Sequence, residues 1–378
     1  MILAFNFLLT SGIVINMIII WFLVKTKKIE LPQKLLISLF ICVLFLLINI
    51  YASVNEIKLL ILISFFISDY LIILIGPILF VYIKSLFNDD KNLMKKNIFH
   101  FIIPLTIQLL LFGFFEFDFY LSSLELIEFF IILIFEDLYL LIYAILSYTI
   151  FIKYNNAKKL IYSNFKGKDL NWVKYMLIGV IIVTTANIIS SLYTYNQPNT
   201  ELENIILITI LVILFISFLG YYGIAQTRVL LPDFLIDSTK NNKNHTTINI
   251  DKESIEKYIK TIELILTKNQ IFLDENLTLS KLAKLTALNE KKLSAIINKE
   301  MNTSFYNLIN LYRIDEFKKR IVSDKYNNLT IIGIAYDCGF KSKSTFNRLF
   351  KKSTGVSPSD YKNQKISAVA SKKTLVNI

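Results

Sequence analysis

Cysteine and histidine are scarce in this chain, and each scarcity removes a class of function. Two cysteines in 378 residues, Cys42 inside an apolar run and Cys338 far downstream, exclude a disulfide framework. Two distant histidines, His100 and His245, leave no metal-ligand spacing. No glycine-rich phosphate loop is present, and no nucleophile pairs convincingly with a histidine, so neither enzymatic chemistry nor a bound cofactor is expected.

What the chain has in excess is apolar side chains. It is 54% hydrophobic, with a mean hydropathy of +0.53, well beyond a soluble globular protein of this size. The formal charge of +12 is concentrated at one end. Residues 226–378 hold 26 basic and 15 acidic side chains, whereas residues 1–225 hold 15 lysines and 14 acids. A nearly neutral apolar half joined to a basic half implies two environments, with a polyanion as partner of the second.

Seven stretches are long enough to cross a bilayer as helices: 2–24, 35–54, 59–83, 98–115, 127–152, 172–193 and 204–225. The first is too long for a signal-peptide core and lacks a small-residue cleavage pattern, so it reads as a retained span. Loop 25–34 carries Lys25, Lys27, Lys28 and Lys34; loop 84–97 carries Lys84, Lys91, Lys95 and Lys96; loop 153–171 carries five more lysines. The alternate loops are poor in positive charge. The positive-inside rule therefore puts the N-terminus outside, and seven crossings bring residue 226 onward into the cytoplasm. Glu136 and Asp137, mid-way along the fifth stretch, and Asp69 in the third are costly at that depth, roughly 2.5–3.5 kcal/mol on insertion scales. They are candidates for a sensing site, the alternative being a polar cluster that holds the bundle together. Asn49, Gln108 and Asn187 read as interhelical hydrogen-bond partners.

After a polar linker, Ile255, Ile259, Ile262 and Leu266 recur at helical spacing within 252–268, an amphipathic helix that either couples the halves or packs on the next domain. Residues 277–299 read as helix, turn, helix. Leu279, Leu282, Ala283 and Leu285 form one inner face, and Leu293, Ile296 and Ile297 form the next. Asn289 caps the second helix, leaving Lys291, Lys292 and Ser294 near its exposed start. The turn has no glycine. Residues 304–322 form a largely apolar connector that ends in Lys318, Lys319 and Arg320. A second helix–turn–helix lies at 329–361, with Ile331, Ile332, Ile334 and Ala335 facing a core and Gly339 at the turn. Ser342 caps its second helix, and Phe346, Leu349 and Phe350 face inward. Lys343, Ser344, Asn347, Arg348 and Lys351 form the other face, with no acid among them. An apolar-backed helix with a donor-rich face, set across a glycine turn, suits a DNA major groove. The chain has only four arginines, so one at a groove-facing position points to a guanine edge or a phosphate. Lys352, Lys318 and Lys319 join Lys351 as candidates for phosphate contact.

The run IGIAYDCGFKSKSTFNRLFKKSTGVSPSDYK, preceded by LTLSKLAKLT and YRIDEFKKRI, closely resembles the AraC/XylS transcription regulators over about 277–362. The resemblance implies two helix–turn–helix subdomains on one long helix, bound to DNA. By matching positions it assigns base-facing roles to Lys343, Ser344, Asn347 and Arg348, and to Lys291, Ser294 and, weakly, Ala295. Arg320 departs from the family's usual aliphatic residue. Spans followed by this domain resemble the membrane-anchored, multi-span variety of that family.

The expected fold is all-α, a seven-helix transmembrane bundle followed by a cytoplasmic all-α domain with two helix–turn–helix units joined by a long helix. The expected division is 1–225 transmembrane, 226–270 linker with amphipathic helix, 271–365 DNA-binding domain and 366–378 polar tail. The expected function is a regulator in the inner (cytoplasmic) membrane that senses a small-molecule or membrane signal and binds double-stranded promoter DNA, with a homodimer allowed but not required. A transporter or channel with a regulatory tail, and a passive membrane anchor, are the alternatives.

Overall fold

The computed structural model describes all residues except 1, 26–29, 120–124, 166–169, 198–199, 225–228, 238–251 and 366–378. The side chains of residues 62, 65, 66, 69, 111–133, 201, 223–224, 233 and 252 also lie outside the described residues. The described residues are helical and turn structure, with one isolated antiparallel bridge, Tyr162 to Thr278. The chain forms two compact units. One comprises Met1–Tyr154 with Leu170–Leu230, the other Asn155–Asp169 with Leu231–Ile378.

The first unit contains α1 (Ile2–Val24), α2 (Leu31–Val54), α3 (Lys58–Phe87), α4 (Phe99–Phe119), most of α5 (Glu125–Ala157), α6 (Asn171–Asn196) and α7 (Glu201–Ile224). Each expected span thus has its helix. Six are long and apolar enough over their described residues to cross a membrane. The fourth, expected over 98–115, has a shorter described apolar stretch, Phe99–Leu110. Small residues let these helices approach: a Cβ on Gly12 of α1 would lie 2.7 Å from Ile213 of α7, and one on Gly220 of α7 would collide with Ile19 of α1. The side-chain amides of Asn6 and Asn55 exchange hydrogen bonds of 2.8 and 3.0 Å, and Ser64 donates to Asn49 at 3.0 Å.

The second unit contains α8 (Lys252–Asn269), α9 (Leu279–Leu285), α10 (Glu290–Ala295), α11 (Phe305–Arg320), α12 (Ile331–Asp337) and α13 (Lys343–Thr354). Local chemistry starts each of the last five. Thr278, Asn289, Ser304, Thr330 and Ser342 each accept a backbone N–H three residues on, which satisfies a donor the first turn leaves unpaired. The amphipathic helix α8 buries Ile262, Ile265 and Leu266 and packs on 271–273 and 296–300.

The connector α11 is buried along much of its length and completes the second core. Its sixteen residues extend about 24 Å at 1.5 Å per residue. Phe305, Leu308 and Ile309 are buried at its start, and Leu293, Ile296 and Ile297 are buried in the first helix–turn–helix. Ile314 and Phe317 join Ile334, Ala335, Cys338, Phe340, Phe346 and Phe350 in the second core. The chain Phe340–Phe346–Phe317–Phe350 carries edge and tilted ring contacts at 4.6–5.2 Å, a favourable geometry for aromatic packing.

The two turns differ in backbone chemistry. Gly339 has φ +90°, and a Cβ there would meet the carbonyls of Phe272 and Leu273 at 2.8 and 2.7 Å. The first turn reaches the same left-handed region at Ala287, φ +54°, without a glycine. An L-residue there carries about 1–2 kcal/mol of strain, partly offset in glycine by chain entropy. Ala287→Gly is therefore expected to stabilise the second unit by about 0.5–1 kcal/mol, and Gly339→Ala to destabilise it by about 2 kcal/mol or more. Hydrogen exchange of the buried Phe317 and Phe350 amides in the full chain measures both; opposite signs would contradict the turn assignments.

Candidate nucleic-acid interface

Helix α13 is apolar behind and cationic in front because its two faces follow the 3.6-residue period. Phe346 and Phe350 are fully buried, while Lys343, Ser344, Arg348, Lys351 and Lys352 are exposed and Asn347 is half-buried. Among the described residues, none of Lys343, Arg348, Lys351 and Lys352 is in an ion pair. Lys318 and Lys319 on the connector are engaged, at 3.1 Å from Asp315 and 3.9 Å from Glu316. That separates lysines equal in sequence: those of α13 keep their charge available for phosphate. Ser342 and Ser344 share a 2.8 Å hydroxyl contact beside the cap. Gly355, at φ +79°, ends the helix by accepting the left-handed conformation.

The first helix–turn–helix presents less. Lys291 is exposed at the start of α10, but Glu290 precedes it in the same turn. Lys292 donates to the Tyr258 hydroxyl at 3.0 Å and lies 4.1 Å over that ring, so α8 holds it. Ser294 is 5% exposed, and Asn298 donates to its hydroxyl at 3.2 Å. Of the four candidates in this helix, the structure leaves Lys291 at the surface, ties Lys292 to α8, buries Ser294 and half-buries Ala295.

Arg313, on the connector, has no exposed surface. Its Nε donates to the Phe272 carbonyl at 2.7 Å and Nη2 to the Asp274 carbonyl at 2.9 Å. The Ser163 carbonyl and hydroxyl accept from Nη1 and Nη2 at 3.2 and 3.1 Å, and the Asn310 side chain accepts at 3.3 Å. Burial pushes this guanidinium down to about 10, against the pull of Asp274, so it stays charged at neutral pH. About two turns later, Arg320 bonds Glu316 at 2.7 Å and the Asp337 carbonyl at 3.3 Å, and lies over the Tyr326 ring. Burial is the largest single influence and lowers its pKa, but the Glu316 bond together with the electrostatic pull of Cys338, Glu316 and Tyr326 turns the net shift upward. This accounts for an arginine where the family has an aliphatic residue: it ties the connector to the end of α12.

Residues 282–364 match the family model described as a helix-turn-helix domain. This part of the chain is an AraC-type helix-turn-helix domain. Over 92 residues the chain is 32% identical to the uncharacterized HTH-type transcriptional regulator YtdP of Bacillus subtilis (strain 168), covering 24% of this chain and 12% of that protein. Over 139 residues it is 30% identical to the uncharacterized HTH-type transcriptional regulator YobQ of the same organism, covering 37% of this chain and 55% of that protein. The chain therefore spans about half or less of the curated relatives it matches. No solved structure matches.

Outside the helix-turn-helix domain, the two carboxylates singled out in the fifth apolar stretch each meet an amide. Gln108 of α4 donates to Glu136 at 2.8 Å, and Asn187 of α6 donates to both oxygens of Asp137, at 3.1 and 2.9 Å. The third candidate, Asp69, lies outside the described side chains.

Sequence reasoning passed over Arg313 and its partners. A signal was present: Phe305, Ile309, Arg313 and Phe317 recur every fourth residue, which places an arginine in an apolar stripe. Nothing local in 155–169 announced that it joins the helix-turn-helix domain. Cys338 is fully buried in the second core, and burial pushes its thiol up to about 12. Such a thiol carries almost no thiolate at neutral pH and is inert. N-ethylmaleimide at pH 7.5 is expected to leave the Cys338 peptide unmodified in the folded chain and to label it in denaturant. Labelling at equal rates in both, read by mass spectrometry, would contradict a core role.

Proposed function

We propose that the chain is a membrane-embedded, sequence-specific transcription regulator whose apolar half senses a signal and whose helix-turn-helix domain binds promoter DNA. The carrying observation is the face of α13: four cations, none ion-paired among the described residues, on a helix anchored by buried Phe346 and Phe350. Lys343, Ser344, Asn347 and Arg348 read base edges in this account, Lys351 and Lys352 hold phosphate, and Lys291 adds a contact from the first helix–turn–helix. Lys292 and Ser294 contribute by positioning α10. Membrane insertion is supported by the six long apolar helices and by large apolar side chains left outward, such as Leu3, Phe7 and Leu110. The lysine-rich loops orient the bundle with the N-terminus outside and the helix-turn-helix domain in the cytoplasm, at the inner membrane. The proposed division is 1–225 for the membrane, 226–270 for the linker and coupling helix, and 271–365 for DNA, with 366–378 as a tail. One chain carries two readers, so a homodimer is not required.

The sensing part rests on Glu136 and Asp137, with Asp69 as a third candidate. The amide partners Gln108 and Asn187 favour a second reading, in which these carboxylates hold the bundle and the apolar half is a passive anchor.

The test of DNA reading is selection of a random duplex pool on the full chain in lipid nanodiscs. A defined sequence is expected to emerge, and log K is expected to fall linearly with log[salt], with a slope of about −0.9 per phosphate neutralised. Arg348→Ala is expected to cost about 1–3 kcal/mol of specific affinity. An unenriched pool, or an unchanged affinity in that variant, would overturn the assignment.

For sensing, a reporter driven by the selected duplex is compared across growth conditions. Glu136→Gln and Asp137→Asn are expected to freeze the reporter at one level while the protein still inserts. Wild-type modulation in both would assign the pair to holding the bundle.

A further inference from the structure

Residues 155–165 leave helix α5 and enter the second unit, where they are bound as closely as a structural element. The Leu279 amide donates to the Ile161 carbonyl at 2.9 Å, and the Ser163 hydroxyl donates to the Leu277 carbonyl at 2.7 Å, both at the start of the first helix–turn–helix. Asn164 reaches two places at once: its side-chain amide donates to the Glu275 carbonyl and to the Gly339 carbonyl, each at 2.9 Å, the latter in the turn of the second helix–turn–helix. Ser163 takes two of the buried bonds of Arg313. Ile161 and Ser163 are buried. A segment about 115 to 175 residues away in sequence thus clamps both helix–turn–helix units and their connector.

One contact continues to the DNA-facing surface. The Phe165 ring stacks on Tyr306 of the connector, centroids 4.6 Å apart and planes 6° from parallel, with the Lys158 ammonium 4.9 Å over the Phe165 ring. Tyr306 is buried, and its hydroxyl accepts from Nη2 of Arg348 at 3.3 Å. Burial holds the phenol above its ordinary range, against the pull of Arg348 and Arg313, so at neutral pH it is the uncharged hydroxyl that meets the guanidinium. A long exposed arginine loses rotamer freedom when it binds, and one already held in place loses less.

We propose that residues 155–165 are a strap that clamps the DNA-binding domain in its high-affinity form, with Phe165 a positioning residue that aims Arg348 at DNA through Tyr306. The strap continues directly from α5, so a shift in that helix acts on DNA affinity by unseating the strap. This rests on the DNA-reading role of Arg348 proposed above. It also makes the reader a composite of two distant stretches rather than an independent tail.

The test is a double-mutant cycle on the full chain in nanodiscs, read as affinity for the selected duplex. Phe165→Ala is expected to weaken binding about three- to tenfold, the loss typical of one aromatic pair, whereas Phe165→Tyr keeps the stack and stays within about twofold. In the Arg348→Ala background, Phe165→Ala is expected to change affinity by less than about twofold, because the two act as one unit. An equal loss in both backgrounds would mean that Phe165 only stabilises the fold, and would overturn the positioning role. Undiminished binding by Phe165→Ala where Arg348→Ala is impaired would overturn the proposal and leave the DNA-reading assignment standing. Failure of Arg348→Ala to weaken binding would sink that assignment first. Seating is read separately by hydrogen exchange at the Leu279 amide. Exchange about tenfold faster in an Asn164→Ala, Phe165→Ala variant supports the strap, and unchanged exchange contradicts it.

Discussion

The second unit depends on a charge with nowhere to go. Placing a guanidinium out of water costs several kcal/mol even after relaxation, and among the described residues no carboxylate is ion-paired with that of Arg313, although Asp274 pulls on it from nearby. What offsets it is complete hydrogen bonding: five donations, to three backbone carbonyls, one side-chain carbonyl and one hydroxyl. Those acceptors come from three stretches, 163, 272–274 and 310, so satisfying one side chain fixes three segments relative to each other. Gly339 belongs to the same constraint, since a Cβ there would sit 2.9 Å from Nε of Arg313. The turn of the second helix–turn–helix is therefore built around the arginine that the connector brings to it.

The rigidity of the connector stems from that constraint. Phe305, Ile309, Arg313 and Phe317 lie along one buried stripe, apolar at both ends and polar in the middle, and its C-terminal end belongs to the second helix–turn–helix core. Arg320 adds a second tie, to the end of α12. Helix α13 is thus carried on a connector of about 24 Å that is anchored along its length, an arrangement that suits the proposed reading of DNA better than a flexible linker would.

Much of this was legible in the sequence. The helix–turn–helix pattern, the caps at Asn289 and Ser342, the positive φ at Gly339 and the buried faces of α12 and α13 all come from local chemistry and period, and they formed as read. The apolar helices were legible because length and hydropathy alone define them, the fourth least clearly. Three things were not. The burial of Ser294 and the capture of Lys292 by Tyr258 depend on α8 and on the packing of α10, which no local pattern shows. The different states of Lys318 and Lys351, alike in sequence, are set by acids one helical turn away on the connector and absent from α13. The place of 155–165 was hidden most thoroughly, because its short polar sequence gains meaning only beside carbonyls more than a hundred residues away.

In this account a reader composed from both halves of the chain stays at the membrane, and DNA must come to it. Chromatin immunoprecipitation with sequencing of the tagged full-length chain, beside its Arg348→Ala variant, tests that claim most directly. The account predicts discrete peaks that share a two-part motif with half-sites about one helical turn apart, weakened in the variant. A flat profile, or peaks unaltered by the variant, would contradict it.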